Sequence, residues 1–109
     1  MTEQIQKAER LLEKQQKVIL ELRQNQEHAV AHTAEVLPEL VQIFQELLGM
    51  AEDHTEDVEI PTDILLQQLE NFERFYRQGD IVQLADTLEY EMKETVSFYL
   101  EILKNMEQR

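Results

Sequence analysis

Apolar residues recur at helical spacing from the N-terminal end of the chain onward. The first stripe combines two offset series whose members lie seven residues apart: Ile5, Leu12 and Ile19, and Ala8, Gln15 and Leu22. This spacing is typical of one face of an amphipathic helix, and it predicts a first helix over residues 2–24. Gln15 and Gln16 interrupt the stripe, so the helix needs a partner surface to be stable.

The helical pattern weakens around Asn25. Asparagine favours turns, and a break here gives a short turn between two antiparallel helices. A single chain of this length buries its apolar faces by folding back on itself, which favours the break. The alternative is one long helix that continues through residues 29–31, because no glycine interrupts this stretch.

A second helix is predicted over residues 26–51. Its apolar face has three- and four-residue spacing and consists of Val30, Ala34, Leu37, Val41, Phe44, Leu47 and Leu48. Pro38 removes one backbone hydrogen bond and crowds the carbonyl of Ala34. We therefore expect it either to kink the helix or to mark a second start, with residues 28–36 as a connecting segment.

Residues 53–59 are rich in acidic groups and have no helical apolar period, which predicts a solvated loop. Pro61 then favours the start of a third helix over residues 62–78. The face of this helix carries Ile64, Leu65, Leu69, Phe72 and Tyr76.

The clearest helix boundary in the sequence is at Gly79-Asp80. Glycine at the end of a helix takes up the left-handed conformation without strain, and Asp80 is suited to cap the next helix, with Gln83 completing a capping box. The fourth helix is predicted over residues 81–106. Its stripe consists of Ile81, Leu84, Ala85, Leu88, Met92, Val96, Tyr99, Leu100 and Leu103.

These patterns predict an all-α protein: one domain over residues 1–109, built as an antiparallel bundle of about four helices. The composition agrees, because two glycines and two prolines are too few for the turns of a strand-rich fold. The chain has no cysteine, which excludes disulfides, thiolate zinc sites and cysteine nucleophiles. The polar N-terminus enters a helical pattern at once and no apolar run is long enough to span a bilayer, so we expect a cytoplasmic protein without a signal peptide.

The formal net charge of −13 is unevenly distributed. No Lys or Arg occurs from Gln24 to Glu73, where acidic residues are frequent. Such a surface repels nucleic-acid phosphates and anionic lipid headgroups. We therefore expect no nucleic-acid or membrane partner, and the acidity serves either solubility or a basic protein partner.

One metal-binding hypothesis follows from the spacing of His28, His32 and Glu35. At i, i+4 and i+7 these side chains share one helix face, and a divalent transition metal uses such ligands. Ala29 stands where a zinc-protease helix carries its glutamate. The simpler interpretation is that all three are exposed polar residues at a helix start, and we predict no metal and no cofactor.

Aromatic and acidic residues of the last two helices are the candidate interaction patch. Phe72 with Phe75, and Phe98 with Tyr99, cannot all point into one narrow core, so some are expected to contact a partner or a second copy. A half-buried Glu91 or Glu94 would need a cation, and Arg74 or Arg77 across the hairpin is available. The complete patch is Phe72, Phe75, Tyr76, Asp86, Glu89, Tyr90, Glu91, Phe98 and Tyr99.

The segment from Leu84 to Glu91 reads Leu-Ala-Asp-Thr-Leu-Glu-Tyr-Glu and follows the aromatic hairpin at residues 71–83. It resembles the C-terminal hairpin of a family of small bacterial all-helical proteins of unknown function, some of which are encoded in motility or cell-envelope contexts. The resemblance implies a helical fold and marks a special patch without assigning it a role: Asp86, Leu88, Glu89, Tyr90 and Glu91.

No phosphate-binding loop, nucleotide fingerprint or Ser/His/Asp set is present. We therefore predict that the protein is not an enzyme. The leading hypothesis is a protein–protein interaction module of the adaptor or export-chaperone type, with a role in motility and a homodimeric state as further hypotheses. The alternatives are the metal-binding bundle described above and a dimeric coiled-coil subunit that pairs through the first helix.

Overall fold

A computed structural model describes residues 2–54 and 58–108, and these residues form a bundle of four helices. The first three are α1 (Thr2–Arg23), α2 (Ala29–Glu52) and α3 (Thr62–Gln78). The fourth, called here the C-terminal helix, runs without interruption through α4 (Ile81–Asp86), a π-helical segment (Thr87–Met92) and α5 (Lys93–Glu107). The all-α bundle predicted from the sequence is confirmed. Residues 55–57 of the predicted acidic loop, and with them Glu56 and Asp57, lie outside the described residues.

Side-chain bonds between the helices define their directions. Thr2 bonds to Glu107 at one end of α1, and Arg23 bonds to Glu89 near the other, so α1 and the C-terminal helix are antiparallel. Lys14 pairs with Glu39 of α2, and α2 returns along α1 after a short turn. The bundle measures 45 × 26 × 19 Å along its principal axes, and its long axis reflects the C-terminal helix, which spans about 40 Å at 1.5 Å per residue.

The break predicted at Asn25 is confirmed. Asn25 has a φ of +53°, a left-handed conformation that asparagine tolerates better than most residues. The N–H of Asn25 donates to the Leu22 carbonyl and that of Gln26 to the Glu21 carbonyl. This pair of bonds is a Schellman motif, so it satisfies the last carbonyls of α1 and turns the chain towards α2.

The expectation of a second helix start at Pro38 is wrong, because α2 continues from Ala29 through Pro38 to Glu52. Pro38 is exposed. The Ala34 carbonyl, which loses its N–H partner at Pro38, therefore lies on the side of the helix that faces solvent. Residues 28–36 are therefore mostly helical and not a connecting segment.

The buried face of α2 is also displaced by about one residue from the predicted one. The predicted face did not include Thr33, whose hydroxyl donates to the Ala29 carbonyl 2.8 Å away, so that it is buried without an unpaired group. Val30, Leu37 and Val41 are only partly buried. The residues that enter the core are Ala29, Thr33, Val36, Leu40, Ile43, Phe44 and Leu47.

The Gly79-Asp80 hairpin forms as predicted. Gly79 is left-handed with a φ of +67°, and the Asp80 carboxylate accepts a hydrogen bond from the Gln83 N–H at 3.2 Å. The N–H of Asp80 donates to the Phe75 carbonyl. A capping box would require the same N–H to donate to the Gln83 side chain. Because it already donates to Phe75, it is not available for the capping box.

The two glycines are expected to respond oppositely to alanine, although a Cβ at either position meets nothing within 4 Å. Gly79→Ala places a side chain in the left-handed region and should destabilise the protein by about 1–2 kcal/mol. Gly49→Ala improves helix propensity within α2 and should stabilise it by about 0.5–1 kcal/mol. Urea unfolding of both variants measures the difference, and the same sign for both would contradict the backbone assignments.

The buried face of α3 is narrower than predicted. Leu65, Gln68 and Phe72 are buried, whereas Ile64 is 54% exposed. Gln68 lies in the core because its side-chain oxygen accepts a hydrogen bond of 2.7 Å from the Thr95 hydroxyl of the C-terminal helix. This bond fixes the register of the last hairpin.

The C-terminal helix owes its π-helical segment to the spacing of its apolar residues. Leu84, Leu88, Met92 and Val96 are four residues apart and all are at most 1% exposed. In a regular α-helix a four-residue repeat rotates by about 40° at each step, which would carry this series off the core. In the π segment the Lys93 N–H donates to the Leu88 carbonyl five residues earlier. The wider turn takes up one extra residue and keeps the series aligned.

Candidate functional site

The most elaborate polar contact of the described residues joins the end of α1 to the π segment. One guanidinium nitrogen of Arg23 lies 2.8 Å from a carboxylate oxygen of Asp86, and the other lies 2.8 Å from Glu89. The guanidinium carbon also lies 5.8 Å from the centre of the Tyr90 ring, within the range of a cation–π contact. We call this group of four residues the Arg23 clamp.

The position of the clamp follows from the two helix ends that meet there. Arg23 is the last residue of α1, where a cation is favoured by the helix dipole, and the antiparallel packing brings this end to the start of the C-terminal helix. Hydrogen bonds to Glu89 and to Asp86 raise the pKa of Arg23 above its ordinary value. Its charge is therefore constant at every physiological pH.

The sequence pointed to Arg74 or Arg77 as the cation for Glu91 or Glu94, but in the structure both arginines bond within α3. The cation that pairs with the C-terminal helix is Arg23, and its partners are two other acidic residues, Asp86 and Glu89. Arg77 pairs with Glu73 of its own helix, while Arg74 donates to Asn71. Both arginines lie on the exposed face of α3, which turns them away from the hairpin interior.

Tyr90 of the clamp is exposed, and the two helices that the clamp joins carry two further exposed apolar side chains, Leu20 and Val82. Leu20 is 49%, Val82 67% and Tyr90 66% exposed. Leu20 lies between Gln16 and Arg23 on one face of α1, and these two residues bond to Lys93 and Glu89 respectively. Leu20 and Tyr90 therefore lie on the same side of the bundle, and Val82 lies one turn before Asp86. We call Leu20, Val82 and Tyr90 the clamp surface.

The predicted interaction patch is divided by the structure. Phe72 and Tyr99 are buried, and three further aromatic residues are partly buried against the core: Phe75, Tyr76 and Phe98. Glu91 is partly buried. The structure brings together Asp86, Glu89 and Tyr90. Whether these residues contact a partner stays a prediction.

The three residues of the metal-binding hypothesis lie near the start of α2. The His32 ring nitrogen Nδ1 lies 2.9 Å from a carboxylate oxygen of Glu21 and donates to it, so α1 supplies its partner. The rings of His28 and His32 are 6.4 Å apart, and Glu35 is exposed. Within residues 2–54 and 58–108 no group of three potential ligands is placed to hold a metal ion.

Comparison of the chain with protein-family models, with curated protein sequences and with solved structures finds no match. The resemblance of the last hairpin to a family of small bacterial helical proteins therefore stays a prediction. Among the described helices none is long and apolar enough to cross a membrane.

Sequence reasoning identified the acidic half of this site but missed Arg23, Leu20 and Val82. One signal was available for the π segment. Consecutive steps of four from Leu84 to Val96 do not fit an α-helix, and π segments occur frequently at functional sites. The pairing of Arg23 with Asp86 joins residues 63 positions apart, so no local pattern indicates it.

Proposed function

We propose that this protein is a non-enzymatic protein–protein interaction module that binds its partner through the clamp surface. The observation that supports the proposal is the exposure of three large apolar side chains, Leu20, Val82 and Tyr90, on the two helices that the Arg23 clamp joins. Exposed aromatic residues beside arginine are the side chains that contribute most to protein interfaces. Cytoplasmic location and an adaptor or export-chaperone role, for example in motility, are part of this proposal.

The charge of the surface favours a basic partner. Asp86 and Glu89 together carry one negative charge more than Arg23 neutralises, and the whole chain has a net charge of −13. An amphipathic helix with an apolar stripe and flanking Lys or Arg residues is complementary to such a surface. We therefore expect binding to weaken as the salt concentration rises.

The test is affinity capture from the source cell with wild-type bait and with the double variant Val82→Ser/Tyr90→Ser. Wild-type protein should retain one stoichiometric partner, and the double variant should bind it at least about tenfold more weakly because the apolar anchors are lost. Both substituted positions are exposed, so thermal unfolding should show little loss of stability.

The matched control is Ile64→Ser/Leu66→Ser. These two residues of α3 are also large, apolar and 54% exposed, but they lie outside the clamp surface. The control should bind like the wild type. Equal losses in both double variants, or a partner that both retain fully, would contradict the assignment of the surface.

A second copy of this chain is the alternative to a helical partner at the clamp surface. The buried face of α1 is occupied within the chain by α2 and the C-terminal helix, so a second copy would have to bind an exposed apolar surface such as the clamp surface. Light scattering on a size-exclusion column at high micromolar concentration separates the cases. A wild-type dimer that Val82→Ser/Tyr90→Ser converts to a monomer would replace the helical partner with a second copy of this chain.

A further inference from the structure

A second concave site lies between α1, α2 and α5, on the N-terminal half of α1. The cleft has a volume of about 390 Å³, within the range of small-molecule sites. Its apolar lining includes Leu11 of α1 and Ile43 of α2, both buried. Polar groups come from Tyr99 of α5 and from three residues of α2: Glu39, Gln42 and Glu46.

Three cations line the cleft, although the chain as a whole is strongly acidic. Lys7, Arg10 and Lys14 follow one another at three- and four-residue spacing on α1. Lys14 pairs with Glu39 at 3.0 Å. In the part of the chain that the structure describes, neither Lys7 nor Arg10 takes part in an ion pair. The lining therefore offers two cationic groups to a bound anion.

Glu46, an acidic residue of the cleft lining, already has a hydrogen-bond partner. The Tyr99 hydroxyl donates a hydrogen bond to the Glu46 carboxylate. Burial raises the pKa of the Tyr99 hydroxyl, and the bond to Glu46 raises it further, so Tyr99 remains a neutral donor at physiological pH. Both carboxylates of the lining therefore have partners, since Glu46 accepts from Tyr99 and Glu39 pairs with Lys14.

We propose that this cleft binds a small amphipathic acid, a molecule with one anionic headgroup and an apolar body. The headgroup binds Lys7 and Arg10, because hydrogen bonds between charged groups are the strongest available at the rim. The apolar body lies against Leu11 and Ile43, where its burial is favourable. This site is separate from the clamp surface, so it does not depend on the partner proposed above.

The experiment is a fluorescence titration with 8-anilinonaphthalene-1-sulfonate, an aryl acid whose emission rises in apolar sites, followed by displacement with decanoate. The wild type should bind the dye saturably, and decanoate should displace it. The double variant Lys7→Gln/Arg10→Gln should bind about tenfold more weakly. Gln42→Trp, at an exposed lining position, should obstruct the cleft and abolish binding.

Three controls make the result specific. Lys17→Gln removes an exposed α1 cation outside the lining and should leave the affinity unchanged. Tyr90→Ser should also bind normally, which separates the cleft from the clamp surface. Decanol should displace the dye much less than decanoate does. Absence of saturable binding, equal affinity in Lys7→Gln/Arg10→Gln, or equal displacement by decanol would overturn the proposal, provided that circular dichroism shows each variant to be folded.

Discussion

Deletion of Ser97 is expected to unfold the bundle, whereas deletion of Tyr90 is expected to leave it folded. Both residues are exposed positions of the same helix. Ser97 lies in regular α-helix, so its removal rotates the following residues by about 100° and shifts them by about 1.5 Å. Tyr99, Leu100 and Leu103 would then leave the core. Each such loss costs about 2–5 kcal/mol, and together they exceed the stability of a typical small domain.

Tyr90 differs because it lies in the π segment, which already contains one residue more per turn than an α-helix. Its removal allows bonds between residues five apart to become the ordinary bonds between residues four apart. The helices on either side then keep their positions on the core. We expect a loss below about 2 kcal/mol, to which the lost Arg23 contact contributes.

Circular dichroism and urea unfolding of the two deletion variants measure this difference. The Tyr90 deletion should give a cooperative transition with a wild-type m-value, because the same surface is exposed on unfolding. The Ser97 deletion should give no cooperative transition. An equal loss of stability in the two deletion variants would show that the π segment is not the place where the extra residue is accommodated.

Replacement of Gln15 by methionine is expected to stabilise the protein by about 1–3 kcal/mol. Gln15 is 0% exposed, and neither atom of its side-chain amide has a hydrogen-bond partner among the residues that the structure describes. A buried polar group without a partner loses its bonds to water and gains nothing in return. Methionine has nearly the same shape and length, so it fills the same space without that cost.

Thermal unfolding measures the effect, and a gain of this size corresponds to a midpoint rise of several degrees in a domain of about 100 residues. Gln6→Met is the matched control on the exposed face of α1 and should change the stability by less than about 0.5 kcal/mol. A Gln15→Met variant less stable than the wild type would mean that the amide is satisfied in solution, by a buried water for example.

The fold was predictable where local signals agree. The Gly79-Asp80 turn combines a residue suited to a left-handed backbone with a capping residue, and both act within a few positions. Pro38 left two possibilities open, a kink or a second helix start, and only the packing of α2 decided against the second start. Thr33 did not stand out in the sequence, because polarity alone does not indicate that its hydroxyl is satisfied by the Ala29 carbonyl.

The candidate site was half predictable. Asp86, Glu89 and Tyr90 stood out in the sequence, but the cation that joins them comes from the far end of α1. The cleft likewise combines local and distant residues. Lys7 and Arg10 are one turn apart on α1, whereas Glu46 and Tyr99, which share a hydrogen bond in the cleft, are 53 positions apart in the sequence.

The sequence by itself determined the number of helices, their approximate bounds and the all-α class, because these follow from apolar spacing and turn residues within short windows. Even the π segment is implied by the four-residue steps from Leu84 to Val96. Only the tertiary structure decided which face of α2 is buried, that Arg23 holds Asp86 and Glu89, and that the basic residues of α1 line a cleft. These features depend on which helices become neighbours, and that choice minimises the free energy of the whole core and not of any single segment.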